Sequence, residues 1–117
     1  KMATHAVRVP KMAFVDTLRA MMVAASDRTG SVKVALSSGL MKVTSENPDT
    51  GEAIDEVYVD YTGPELSLGF NVRYLLDALS GVDDDEVRLG LSGELDPVMV
   101  EPWSRKGFLG IVMPMRI

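Results

Sequence analysis

Leu66-Ser67-Leu68-Gly69-Phe70-Asn71-Val72-Arg73-Tyr74-Leu75-Leu76-Asp77-Ala78-Leu79 changes its period in the middle. Leu66, Leu68 and Phe70 alternate with small residues, which predicts a strand over 65–70. From Val72 the apolar positions become Val72, Leu75, Leu76 and Leu79, one face of a helix. Asn71 stands between the two patterns as an N-cap, because its side chain can accept a backbone N–H that the first helical turn leaves open. Arg73, Asp77 and, at the edge, Tyr74 face away. Gly81 closes the helix, and Asp83-Asp84-Asp85 reads as a solvated turn.

The same switch occurs once upstream. His5 to Val9 reads as a short strand, Pro10 sits where a helix can start, and 11–25 has helical period. Phe14, Leu18, Met21, Met22 and Ala25 share a face that Val15 flanks; Asp16, Thr17, Ala20 and Ala24 are opposite. Ser26-Asp27-Arg28-Thr29-Gly30 ends this helix. Three strands follow: 31–37, 40–45 and, after a polar loop over 46–51, a long one over 52–61. Three more follow the second helix, over 86–91, 97–101 and 108–113. The chain thus reads as βαβββ twice, in halves over about 4–62 and 65–117. One half cannot cover its own sheet, so the expected architecture is α+β, with two helices packed on antiparallel sheets in one domain over 1–117.

Composition narrows the chemistry. The 117 residues include no cysteine and one histidine, and the net charge is −5. Thiol catalysis, cysteine-bound metals and multi-histidine metal sites are excluded. The acidic balance argues against a domain that grips nucleic acid through its overall field. No apolar run has the length of a membrane span and the first residues have no signal-peptide core, so a cytoplasmic protein with no membrane association is expected. Neither a dinucleotide fingerprint nor a P-loop is present. His5 has no partner histidine, and Asp83-Asp84-Asp85-Glu86 lacks the ligand spacing of a calcium loop. Nothing supports an enzyme or a cofactor.

The ending is unusual. Ile111-Val112-Met113-Pro114-Met115-Arg116-Ile117 is apolar almost to its last residue, whereas chain ends are commonly polar. Pro114 lacks a ladder donor, so strand pairing should stop by Met113 and leave Met115 outside the sheet. Such a segment is either the last core strand or one wall of a docking surface, for which methionines are adaptable linings.

Gly69-Phe70-Asn71-Val72-Arg73-Tyr74-Leu75-Leu76-Asp77-Ala78-Leu79 resembles the GFN-x-x-Y-L-x-D-x-L segment of the bacterial beta sliding clamps, the processivity factors of replicative polymerases. Val112-Met113-Pro114-Met115-Arg116-Ile117 resembles the same family's V-M-P-M-R-(L/I) ending. Asn47-Pro48 and the strand ending at Tyr61-Thr62-Gly63 also fall in place. The resemblance covers nearly the whole chain but only the third of the family's three domains, so the chain is expected to be a fragment or an excised domain.

What the resemblance implies is a non-enzymatic part of a DNA-clamp fold. In the family, two protomers close head to tail into a homodimeric ring of six domains that encircles duplex DNA. The ring tethers the catalytic polypeptide of DNA polymerase III, the clamp loader and other proteins bearing clamp-binding peptides of the form Gln-x-Leu-x-Leu/Phe. By resemblance the peptide pocket takes Tyr74, Leu95, Pro97, Ile111, Val112, Met113, Pro114, Met115 and Arg116. Pro97 replaces a residue that is often small and polar in the family. Arg19, Arg28 and Arg73 are the DNA-facing candidates, with Asp77 blunting the field of Arg73. The ring interface maps to Ala24, Ala25, Asp49, Glu52 and Asp55, where the two alanines replace bulkier aliphatics. The alternative is a free-standing peptide-binding adaptor with no DNA role.

Overall fold

A computed structural model describes residues 5–24, 30–47, 51–93, 95–104 and 110–115, with the side chains of 23, 24, 46, 47, 51 and 52 outside that set. Two helices and eight strands occur among the described residues: β1 (His5–Pro10), α1 (Lys11–Ala24), β2 (Ser31–Ser37), β3 (Leu40–Asn47), β4 (Gly51–Tyr58), β5 (Leu66–Asn71), α2 (Val72–Ser80), β6 (Glu86–Leu91), β7 (Val98–Pro102) and β8 (Gly110–Val112). The strands form two four-stranded sheets, ordered β1-β6-β7-β8 and β4-β3-β2-β5, with every named pairing antiparallel.

The two halves of the sequence interlock. β1 pairs with β6 of the second half, and β5 pairs with β2 of the first. The reason lies at the strand-to-helix junctions. Pro10 is followed directly by Lys11 of α1, and Asn71 directly by Val72 of α2. A strand that runs straight into a helix has no turn with which to fold back on its successor, so it completes the other sheet. Isolated bridges tie the sheets together at Arg8–Asp60 and Gly69–Met115.

Alternation along the strands builds the core. Val32, Val34 and Leu36 of β2, Met41 and Val43 of β3, Val87, Leu89 and Leu91 of β6, and Val98 and Val100 of β7 point inward. They join Phe14, Val15, Leu18 and Met21 of α1 and Val72, Leu75 and Leu79 of α2 in one buried cluster. The helices pack on each other, α1 also on β3 and β4, and α2 also on β5 and β8. Asn71 caps α2 as expected, its Oδ1 accepting the N–H of Arg73 at 3.0 Å.

Several local expectations are corrected. Thr17, placed on the open face of α1, is buried, and Met22, placed on the buried face, is exposed. The Thr17 hydroxyl is accommodated because it donates to Asp55 Oδ2 at 2.8 Å. The polar stretch over 46–51 is not a long loop: Glu46 pairs with Glu52 and Asn47 with Gly51, so cross-strand pairing outlasts the hydrophobic alternation. The strand expected to reach Tyr61 ends at Tyr58. There the chain leaves the β3 ladder, and Asp60 exchanges backbone hydrogen bonds with Arg8 instead, at 3.0 and 3.1 Å.

Candidate functional site

The tail is placed by three backbone constraints. β8 pairs with β7 through Val98–Val112, Met99–Ile111 and Val100–Gly110. Pairing stops at Val112, leaving Pro97 and Met113 to flank the last rung. The chain then crosses to the second sheet, where Met115 N–H donates to Gly69 C=O at 2.6 Å. Met115 is therefore bridged to β5, not outside all pairing as the sequence suggested.

This path leaves a set of large apolar side chains on the surface. Tyr74 is 63% exposed and Ile111 61%, and Leu95, Met113 and Met115 are exposed as well. Tyr74 stands in the first turn of α2, a few residues beyond Gly69, so the helix start and the anchored tail meet at β5. Leu95 lies on the turn between β6 and β7, which Asp96 N–H closes onto Gly93 C=O at 3.3 Å. Exposed Pro97 follows it, and Pro114 is half-buried.

Val112 does not belong to this surface. It is 3% exposed and lies in the core, because alternation turns Ile111 outward and its neighbour inward. Arg116 lies outside the described residues.

The predicted DNA face is nearly charge-balanced. Arg19 and Arg73 are exposed on the open faces of α1 and α2, but so are Asp16 and Asp77. Arg28 is outside the described residues.

The predicted ring surface is the β4 side of its sheet. β4 is an edge strand, and Ile54 and Tyr58 on it are exposed. Asp55 is bound within its own chain: besides the Thr17 hydroxyl it accepts the Glu56 backbone N–H at 2.8 Å. Ala25 and Asp49 lie outside the described residues, as do the side chains of Ala24 and Glu52.

One polar cluster has no signal in the sequence. The guanidinium of Arg8 lies 5.1 Å and that of Arg88 4.2 Å from the ring centre of Trp103. Arg8 Nε donates to Glu86 at 2.8 Å, and Arg88 faces Glu101 at 3.5 Å. Beside them Asp84 accepts the N–H and hydroxyl of Ser104 at 3.0 and 2.6 Å. Those two bonds, with lesser help from the backbone N–H groups of Glu86 and Asp85, lower the Asp84 carboxyl to about 2. Cross-strand register brings Arg8 opposite Arg88 and Arg88 opposite Glu101, which no local period announces. Among the described residues no group of three His, Cys, Asp or Glu side chains stands together as a metal site.

Comparison with known proteins gives a consistent result. Residues 1–116 match the family model described as DNA polymerase III beta subunit, C-terminal domain. The chain is similar to the beta sliding clamp of Pseudomonas aeruginosa, 37% identical over 92 residues, covering 79% of this chain and 25% of the relative. It is 33% identical to that of Escherichia coli K12 over the same shares of each. A crystal structure of the P. aeruginosa beta subunit superposes with TM-score 0.95 at 30% identity, over 100% of this chain and 32% of the other. A Bartonella birtlesii clamp solved bound to griselimycin gives 0.91 at 30% identity, over 97% of this chain and 30% of that one. The chain thus spans about a quarter of the length of the curated relatives it matches. Among the described residues no helix is long and apolar enough to cross a membrane.

Proposed function

The chain belongs to the family formed by the C-terminal domain of the DNA polymerase III beta subunit, and we propose on that premise that it is one domain of a sliding clamp. In this reading it acts with two further domains of the same protomer, and two protomers close head to tail around duplex DNA in the cytoplasm. Its work is mechanical: it confers processivity by tethering the replicative polymerase, the clamp loader and repair proteins, and it catalyses nothing. Family membership favours this reading over a free-standing adaptor.

The observation that carries the tethering role is the exposed apolar set at the anchored tail. Tyr74, Ile111, Met113 and Met115 are left on the surface by a backbone path that buries Val112 between them. A domain of this size has inward positions for such side chains, and a cluster of large apolar residues held outside is characteristic of a binding surface. Methionine walls accept leucine and aromatic side chains of differing shape, which suits one surface serving several partners. Leu95 and Pro97 extend the wall from the neighbouring turn, with Pro114 between the two methionines; the resemblance assigns Arg116 a polar contact. The griselimycin-bound relative shows that a clamp of this family holds a ligand.

The remaining surfaces take the other two roles. The open faces of α1 and α2, with Arg19 and Arg73, line the hole; the resemblance assigns Arg28 the same role. Because Asp16 and Asp77 share those faces, the ring holds DNA by enclosure and not by charge. The β4 edge, with Asp55, and the end of α1 face the first domain of the other protomer; the resemblance assigns Ala24, Ala25, Asp49 and Glu52 to the same contact.

Peptide titration tests the tethering role. A fluorescent Gln-x-Leu-x-Phe peptide is titrated onto the assembled protomer and onto its Tyr74→Ala and Met113→Ala variants. Each truncation should weaken binding by about tenfold or more without changing the thermal midpoint, as expected for central apolar anchors. Unchanged affinity in both variants contradicts the pocket assignment.

A further inference from the structure

The edge strand β4 is not open along its length. Antiparallel pairs alternate between those that exchange backbone hydrogen bonds and those that do not. Val59 N–H donates to Gly39 C=O, and the register continues as Leu40–Tyr58, Met41–Val57, Lys42–Glu56, Val43–Asp55 and Thr44–Ile54. Tyr58, Glu56, Ile54 and, further along the same register, Glu52 are therefore the non-bonded members. Their backbone groups point away from β3, out of the free edge of the sheet.

One of these outward donors is already filled. Glu56 N–H donates to Asp55 Oδ1 at 2.8 Å. Asp55 is itself held from the other side, since the buried Thr17 hydroxyl of α1 donates to Oδ2 at 2.8 Å. Both carboxylate oxygens are thus engaged, one by a helix and one by the edge. A strand arriving at β4 would present a carbonyl to Glu56 N–H and meet a carboxylate there. Proteins protect exposed strand edges with charged side chains, because unpaired edges invite promiscuous pairing.

We infer that Asp55 is the gatekeeper of the β4 edge: held by Thr17, it fills the Glu56 N–H, so a strand from a second protomer pairs fully with this edge only after Asp55 lets go. The inference rests on the ring reading only for the identity of the incoming strand. It makes Asp55 a positioning residue that regulates the contact, and it makes Thr17, on the inner helix, part of the same device.

Sedimentation of this chain and its variants tests it. Asp55→Ala opens the edge but orphans the Thr17 hydroxyl, so the double variant Thr17→Val/Asp55→Ala is measured beside it, with circular dichroism to verify folding. The wild-type chain should be mostly monomeric, and the double variant should self-associate about tenfold more tightly or better, the scale of one recovered interfacial contact. Adding Ile54→Pro should reverse this, since proline removes an outward donor without touching the β3 ladder. A folded double variant that sediments like wild type overturns the inference, and so does association that survives Ile54→Pro. Mixing with the isolated first domain of the P. aeruginosa clamp separates the two readings. If neither chain binds that domain while the double variant still self-associates in an Ile54-dependent way, the gatekeeper stands and the ring reading falls.

Discussion

Met115 donates its backbone N–H to the carbonyl of Gly69 at 2.6 Å, which joins the end of the chain to the strand that leads into α2. The two segments whose motifs resemble those of the sliding clamps are therefore in direct contact. The bridge gives the tail a fixed path over β5 while its side chains stay outside.

Deletion of Met115 to Ile117 follows from this bridge. Among the described residues it removes one backbone hydrogen bond, whose net contribution is about 1 kcal/mol. Among the described residues it removes none of the buried core. The truncated chain should stay folded with a slightly lower melting temperature. In the assembled protomer its affinity for a clamp-binding peptide should drop about thirtyfold, the equivalent of losing one apolar anchor worth about 2 kcal/mol. Melting and peptide titration on the same protein check both halves. An unfolded truncation would make the tail a core element.

Neighbouring residues of β8 should behave oppositely. Val112→Ala removes two buried methyl groups and should cost about 2 kcal/mol of stability with little direct effect on peptide binding. Ile111→Ala should change stability by no more than about 0.5 kcal/mol, as expected at an exposed position, and weaken the peptide. Urea denaturation paired with peptide titration distinguishes them.

Much of this contrast is legible in the sequence, and some is not. The strand-to-helix switch at Asn71, its cap and the apolar face of α2 follow from local period and side-chain chemistry. Pro114 marks the end of pairing for the same reason. Three features depend on partners distant in sequence. β1 and β5 complete each other's sheets, Thr17 is buried because Asp55 lies across from it, and Met115 finds Gly69. Alternation says which side of a strand is apolar, but not which edge it will join. A family motif carried over as a block puts Val112 in the pocket, whereas alternation alone turns it inward.

Acid stability should depend on Ser104. Its two hydrogen bonds are the largest causes that lower the folded-state Asp84 carboxyl from its ordinary value of 3.8 to about 2. The stabilisation is fully present above the unfolded value and is lost as pH falls from about 4 through about 2. Ser104→Ala keeps only the backbone bond, so its stability should fall less steeply over that interval. Denaturation midpoints at a series of acid pH values measure the difference, and parallel curves for the two proteins would contradict it.

The isolated chain should not retain duplex DNA. Its net charge is −5, and Asp16 and Asp77 offset Arg19 and Arg73 on the helix faces. At about 0.15 M salt, where charges are screened beyond roughly 8 Å, mobility-shift assays should show no complex, and Arg19→Ala and Arg73→Ala should change nothing. A complex that forms at that salt and weakens steeply as the salt is raised further would mean that charge, not enclosure, holds the DNA.

Enclosure itself is tested most directly by the topology of the DNA. A protomer carrying this domain is loaded on a nicked circular plasmid, separated from free protein by gel filtration, and the plasmid is then cut once. The protein should remain with the circle and be lost from the linear molecule, because a closed ring leaves only over an end. Equal retention on circular and linear DNA, or none on either, would contradict its place in a sliding clamp.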